Sequence, residues 1–170
     1  MIWTNFLKRL IDWWRYGECI TVKGIVEVKL IDNKSGKLVY YERGENKVVR
    51  QGRDYALKNI IKHTTTYNAN YLCLSSNSTT PADTETSVPN LITPVKTATK
   101  SVGTDTNGEP YCQWFAEWGT DEANTTINSI AIAENSDGTG EWCRYVLSSS
   151  INKTNTQILQ VTYRWQLSSS

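Results

Sequence analysis

Residues 157–167, QILQVTYRWQL, leave the chain fewer choices than any other stretch. Leu159, Val161, Tyr163, Trp165 and Leu167 alternate without a break with Gln160, Thr162, Arg164 and Gln166. Successive side chains of a strand point to opposite faces, so a period of two gathers all five apolar residues on one side. A helix would scatter them around its axis. The stretch predicts a strand with one face on a core and one on solvent, and such a core needs further strands.

The chain supplies them. Residues 19–32, CITVKGIVEVKLID, put Val22, Val26, Val28 and Leu30 on one face and Thr21, Lys23, Ile25, Glu27, Lys29 and Ile31 on the other. Turn chemistry at 32–36 returns the chain as residues 37–42, a hairpin partner. Residues 71–74, 111–118, 127–133 and 142–147 read as strands, and 91–101 begins irregular and ends as one. Turns rich in Asp, Asn and Gly at 104–108 and 135–140 separate them. From Gln51 the period changes, and Tyr55, Ala56, Ile60 and Ile61 predict a helix of about three turns. Residues 75–90, SSNSTTPADTETSVPN, read as a long polar loop that Pro81 and Pro89 keep out of any central strand. Parallel strands need long crossover connections, and most of these connections are turns. The pattern predicts a mainly β protein: an antiparallel β-sandwich, jelly-roll-like or immunoglobulin-like, with one internal helix. A composition of 7 Trp, 9 Tyr and only 2 Phe, with abundant Thr, agrees with strands.

The first residues stand apart, and the expected organisation is an N-terminal helix over 1–17 and a β domain over 18–170. In MIWTNFLKRLIDWWRY, Ile2, Trp3, Phe6, Leu7, Leu10, Ile11 and Trp14 recur at helical spacing, opposite Thr4, Asn5, Lys8, Arg9, Asp12 and Arg15. Charges interrupt the apolar run and no small-residue cleavage site follows, unlike a signal peptide. At about 24 Å the helix is too short and too charged to cross a bilayer. Its apolar face has three destinations: its own domain, a partner protein docked through those seven residues, or a membrane interface.

The chemistry offered is thin. His63, the only histidine, follows the helix with no nucleophile motif beside it. Cys19, Cys73, Cys112 and Cys143 are too widely spaced for a zinc site. They read as small buried residues, or as one disulfide between Cys112 and Cys143 on neighbouring strands. Glu109, Glu117, Asp121, Glu122 and Glu134 offer carboxylate pairs, but any β-rich chain does. Turn formation accounts for the Asp and Asn residues at 104–108 and 135–140 better than calcium binding. A net charge of +1 without a basic stripe argues against a nucleic-acid partner. No cofactor, metal or catalytic set is expected. Trp114, Trp118 and Trp142 are candidates for stacking on sugar rings, as in a carbohydrate- or receptor-binding module.

Four segments in order carry a resemblance. They are NKVVRQGRDYAL (46–57), YLCLSSNSTTPADTETSVPN (71–90), ANTTINSIAIAENSDGTGEWCRYVL (123–147) and INKTNTQILQVTYRWQL (151–167). Over residues 19–168 this order resembles small β-rich structural proteins of tailed viruses, of the tail, baseplate, collar, spike and fibre-attachment kind. Ser75 and Asn77 stand where such proteins carry glycines, and Ser129-Ile130-Ala131 where they carry Glu-Ile-Gly. The resemblance implies a non-enzymatic virion building block that forms a homo-oligomer with other virion proteins as partners. The N-terminal helix would then be its anchor on a neighbour, or a contact with a membrane interface.

Overall fold

The computed structural model describes residues 20–60 and 68–169. Cys19, His63 and the seven residues expected to dock, Ile2 to Trp14, lie outside them. The described chain is mainly β: β1 (Ile20–Asp32), β2 (Leu38–Val48), β3 (Tyr71–Ser75), β4 (Leu91–Thr97), β5 (Thr99–Thr104), β6 (Pro110–Trp118), β7 (Thr126–Ala133), β8 (Glu141–Asn152) and β9 (Gln157–Ser169), with one short helix, α1 (Arg50–Ile60).

All ladders are antiparallel and fall into two sheets. The first runs β2-β1-β9-β6-β5 and the second β4-β3-β7-β8-β2. Strand β2 belongs to both. It pairs with β1 along most of its length and with β8 only at Lys47 and Val48. From β3 onward the chain visits the sheets in pairs, β3 and β4 in the second, β5 and β6 in the first, then β7 and β8 in the second again. The sequence reading ended the hairpin partner at residue 42. The structure carries β2 on to Val48, because Gly44 and Glu45 stay in register with β1. The segment from residue 91 is ordered from its first residue: β4 forms at the sheet edge, where Pro94 costs no ladder bond.

Alternation builds the core. Val26, Val28 and Leu30 of β1, Trp114, Ala116 and Trp118 of β6, and Leu159, Val161, Tyr163 and Trp165 of β9 join Leu72, Leu74, Ile127, Ile130, Ile132 and Cys143 from the other sheet in one cluster. Strand β7 buries its other side too. Ala131 and Ala133 pack with Cys73 and Val88 in a second, smaller cluster. That is why residues 130–133 read as a continuous apolar run. Among the described residues, no helix is long and apolar enough to cross a membrane.

Candidate functional site

The three tryptophans expected to stack on sugars lie inside the protein. Trp114, Trp118 and Trp142 are 6%, 0% and 5% exposed. Their indoles are committed elsewhere. Trp114 Nε1 donates to the Ala69 carbonyl at 2.7 Å and Trp118 Nε1 to the Pro94 carbonyl at 2.8 Å. Trp142 packs between Tyr55 of α1 and Trp165 of β9, with ring centroids 5.6 and 5.5 Å apart. A sugar platform needs an open ring face, and these rings have none.

The expected Cys112–Cys143 disulfide is also absent. Cys73, Cys112 and Cys143 are free thiols. Strand β6 ladders with β5 and β9, and β8 with β7 and β2, so the two cysteines are not on neighbouring strands. Burial pushes Cys143 up to about 12 and Cys112 to about 11, which makes both poor nucleophiles. The turn carboxylates serve the backbone. Asp105 accepts the amides of Asn107 and Glu109 at 2.9 and 2.8 Å, and Asp137 accepts that of Thr139 at 2.9 Å. Among the described residues, no three His, Cys, Asp or Glu side chains gather as a metal site.

The polar loop, residues 76–90, is a strap. Arg53 Nη2 of α1 donates to both carboxylate oxygens of Asp83, at 2.8 and 3.0 Å. The Thr86 carbonyl accepts the amides of Gly140 and Glu141 at 2.9 and 3.1 Å, and Val88 donates to the Gly138 carbonyl at 3.0 Å. At its start, Ser129 Oγ and Asn128 Nδ2 of β7 donate to the carbonyls of Asn77 and Ser76. Val88 closes the small second cluster.

Beneath the strap lies a buried ionic group. Glu141 and Arg144 are both sealed from solvent. Arg144 Nε is 3.7 Å from Glu141 Oε1, and Arg144 Nη2 pairs with Glu85 of the strap. A register shift between β7 and β8 at Ile132/Ala133 leaves Trp142 as an extra residue. Residues 141 and 144, which plain alternation would set on opposite faces, therefore end on one side. Burial pushes the Glu141 carboxyl up to about 7; Arg144 opposes the rise and Glu85 adds to it. A carboxyl this deep reaches no substrate and works on the fold. Gly52 allows α1 to lie on the same strand. A Cβ there would meet the Trp142 carbonyl oxygen at 2.0 Å.

Two further polar locks hold this half together. Lys153, 3% exposed, donates to the Gly119 carbonyl at 2.7 Å and to Asn124 Oδ1 at 3.0 Å, and burial pulls its ammonium down. Glu42 bridges the gap where β2 leaves β8. It accepts Tyr145 Oη at 2.5 Å, the Ser148 amide at 2.8 Å and the Tyr40 hydroxyl. Burial alone would raise the Glu42 carboxyl, but these hydrogen bonds outweigh it and hold it low. Sequence reading missed Glu141 and Arg144 because a charged residue in a strand is ordinarily on the wet face, and Lys153 because a lysine in a polar break between strands is ordinarily solvated. The one available signal was EWCRYVL, two opposite charges three apart in an otherwise apolar strand.

At the far end of the first sheet the core-side face opens. Val102 stands directly across from Cys112, and Lys100 across from Trp114, so these four share a face. They line an open groove of about 300 Å³. Val102 is 76% exposed, although its strand neighbours on β6 turn that same face to the core.

Comparison with protein-family models, with curated proteins and with solved structures finds no match to this chain.

Proposed function

We propose that this chain is a virion structural protein of the tailed-virus kind, a subunit that assembles as a homo-oligomer with other virion proteins into a tail, collar, baseplate or spike. On this reading the two sheets form a jelly-roll-like sandwich, with β2 turning one corner and Ala98 the other. The observation that supports it is where the four resembling segments meet. The Gly-bearing helix, the Ser/Thr/Pro strap and the β7–turn–β8 segment are bolted together by Arg53–Asp83, Arg144–Glu85 and the Thr86 carbonyl. The fourth segment joins through Lys153, which ties its start to Asn124 of the third. The segments make one structural unit in which the polar groups hold the backbone.

The test is particle composition. Particles purified from the producing cells should contain this chain at a fixed copy number, and antibody labelling should place it on one part of the particle. A chain lacking residues 1–16 should fold and fail to incorporate. Absence of the full chain from washed particles sinks the proposal. The membrane-interface variant of this reading predicts flotation with liposomes that is lost on Phe6→Asp with Leu10→Asp.

A further inference from the structure

We propose that Lys153 and Asn124 become covalently joined once the chain has folded: Lys153 Nζ attacks the carbonyl carbon of the Asn124 side chain, ammonia leaves, and an amide bond ties the entry of β7 to the exit of β8. The inference concerns the chain alone and stands whether or not it is a virion component.

Three observations carry it. The first is contact. Lys153 Nζ lies 3.0 Å from Asn124 Oδ1. The carbonyl carbon Cγ is one C=O bond, about 1.2 Å, beyond that oxygen, so Nζ and Cγ are at most about 4.2 Å apart. Atoms poised to react stand about 3–3.5 Å apart. A rotation of the Asn124 amide that presents its carbon in place of its oxygen spans the difference.

The second is confinement. Nζ also donates to the Gly119 carbonyl at 2.7 Å, and the Lys153 amide donates to the Thr125 carbonyl at 3.2 Å. Asn124 Nδ2 donates to the Thr120 carbonyl at 2.8 Å. The turn that delivers Asn124 bends through buried Ala123 at a φ of 50°, a left-handed backbone that alanine rarely adopts. Amine and amide are thus held together by the fold itself, which makes their meeting an event within one molecule.

The third is the state of the amine. A lysine this deep is ordinarily paired with a carboxylate. Among the described residues no carboxylate lies within ion-pair distance of Lys153; its side-chain partners are a peptide carbonyl and an amide oxygen. Glu122 is engaged by Lys96 at 2.5 Å and by the Gly119 amide at 2.8 Å. Burial pulls the Lys153 ammonium down, against the charges of Glu122 and Asp121, and the free amine is the nucleophile.

The step balances without a co-reactant. The ammonium first gives a proton to water. The amine then forms the Nζ–Cγ bond, an Nζ proton passes to Nδ2, and the Cγ–Nδ2 bond breaks to release ammonia. One amide replaces another, and nothing is oxidised or reduced. The Thr120 carbonyl orients the departing nitrogen, and Asn124 is exposed, so ammonia leaves to solvent.

Intact mass is the test. Chain recovered in urea before it has folded should have the mass of its sequence. After refolding at pH 8, with Cys73 and Cys143 protected from alkylation as the sign of a native core, it should be lighter by one ammonia. A digest should then hold residues 124 and 153 in one branched peptide. The loss should run up to about tenfold faster at pH 8 than at pH 7, as the free amine fraction grows. Lys153→Arg and Asn124→Ala chains should keep their full mass. A refolded natural chain that stays at full mass overturns the proposal, whatever the variants do. So does an ammonia deficit that mild base removes while residues 124 and 153 stay in separate peptides, the mark of a cyclised asparagine. Particle composition reads the virion proposal separately, and neither result depends on the other.

Discussion

The two sheets are built from the same kind of strand but held in register by different means. In the first, β1 and β9 share thirteen consecutive residue pairs, β6 and β9 run in step from Tyr111–Gln166 to Trp118–Leu159, and the one slip is between β1 and β2 at Leu30/Ile31. In the second, β7 and β8 slip twice and β3 and β4 once. Alternation fixes the β1–β9–β6 part of the first sheet, since a slip of one residue would carry Val161 and Tyr163 to solvent. The second sheet has apolar residues on both sides of β7, so alternation says little there. Its register rests on the strap, on Arg144 with Glu141 and Glu85, and on Lys153. Apolar patterning gives a core face with no group that titrates near neutral pH, and buried charge gives one whose strength depends on pH.

The sharpest way to break that contrast is Arg144→Ala. It strands Glu141 in the core, and loss of one partner of a buried pair costs about 3–5 kcal/mol. Urea unfolding at pH 8 should show the full loss. At pH 5, where Glu141 is protonated in the folded chain, the loss should shrink. Leu159→Ala in the first sheet is the matched experiment. It should cost about 3 kcal/mol through the cavity it leaves, and by the same amount at both pH values. If the Arg144 variant were equally destabilised at pH 5 and pH 8, the contrast between the sheets would collapse.

Glu141→Gln sharpens it from the other side. Folding raises this carboxyl from 4.5 to about 7. Below 4.5 both folded and unfolded chains hold the proton, and the group takes nothing from stability. As pH rises from 4.5 to 7 the unfolded chain releases its proton first, so stability falls. Above 7 the loss is complete, at most roughly 3 kcal/mol. Thermal melts from pH 5 to pH 8 should decline in the natural chain and stay flatter in the variant. Asp105 and Asp137 work with the opposite sign: hydrogen bonds from turn groups hold their carboxyls low, so their contribution is present at neutral pH and lost in acid. The smallest effect belongs to Asp83→Asn. Its pair with Arg53 is partly exposed, and its removal should cost under about 1 kcal/mol, less in high salt. A larger loss would mean that the strap holds α1 more firmly than the pair alone accounts for.

These differences also explain which parts of the molecule could be read from sequence. The residue 157–167 alternation located β9 and the buried Leu159, Val161, Tyr163 and Trp165, and the residue 19–32 pattern located β1 and the buried Val26, Val28 and Leu30. The turns at 104–108 and 135–140 declared themselves through Asp, Asn and Gly. The strap did not, because Ser, Thr and Pro predict an absence of strand and say nothing about what a loop's carbonyls will accept. The tryptophans misled for a related reason. An indole is as much a core residue as a surface one, and only the position of Ala69 and Pro94 across the core decides that Trp114 and Trp118 face inward. The cysteines misled because pairing depends on which strands become neighbours, and the order of the sheets sends β6 and β8 apart.

Ala98 gives the architecture one more property. The outermost strands of the two sheets, β4 and β5, follow each other in the chain with that single buried residue between them. A walk from strand to strand that leaves β4 through the hydrogen bonds returns at β5 and steps back to its start along a covalent bond. Strand edges are where sheet proteins recruit strangers. At this margin the two edges are the arms of one bent run, so a newcomer meets a short kinked border with Pro94 on one arm and finds no straight ribbon to extend there. The margin where the two sheets meet through Ala98 is thereby guarded against open-ended growth by strand addition.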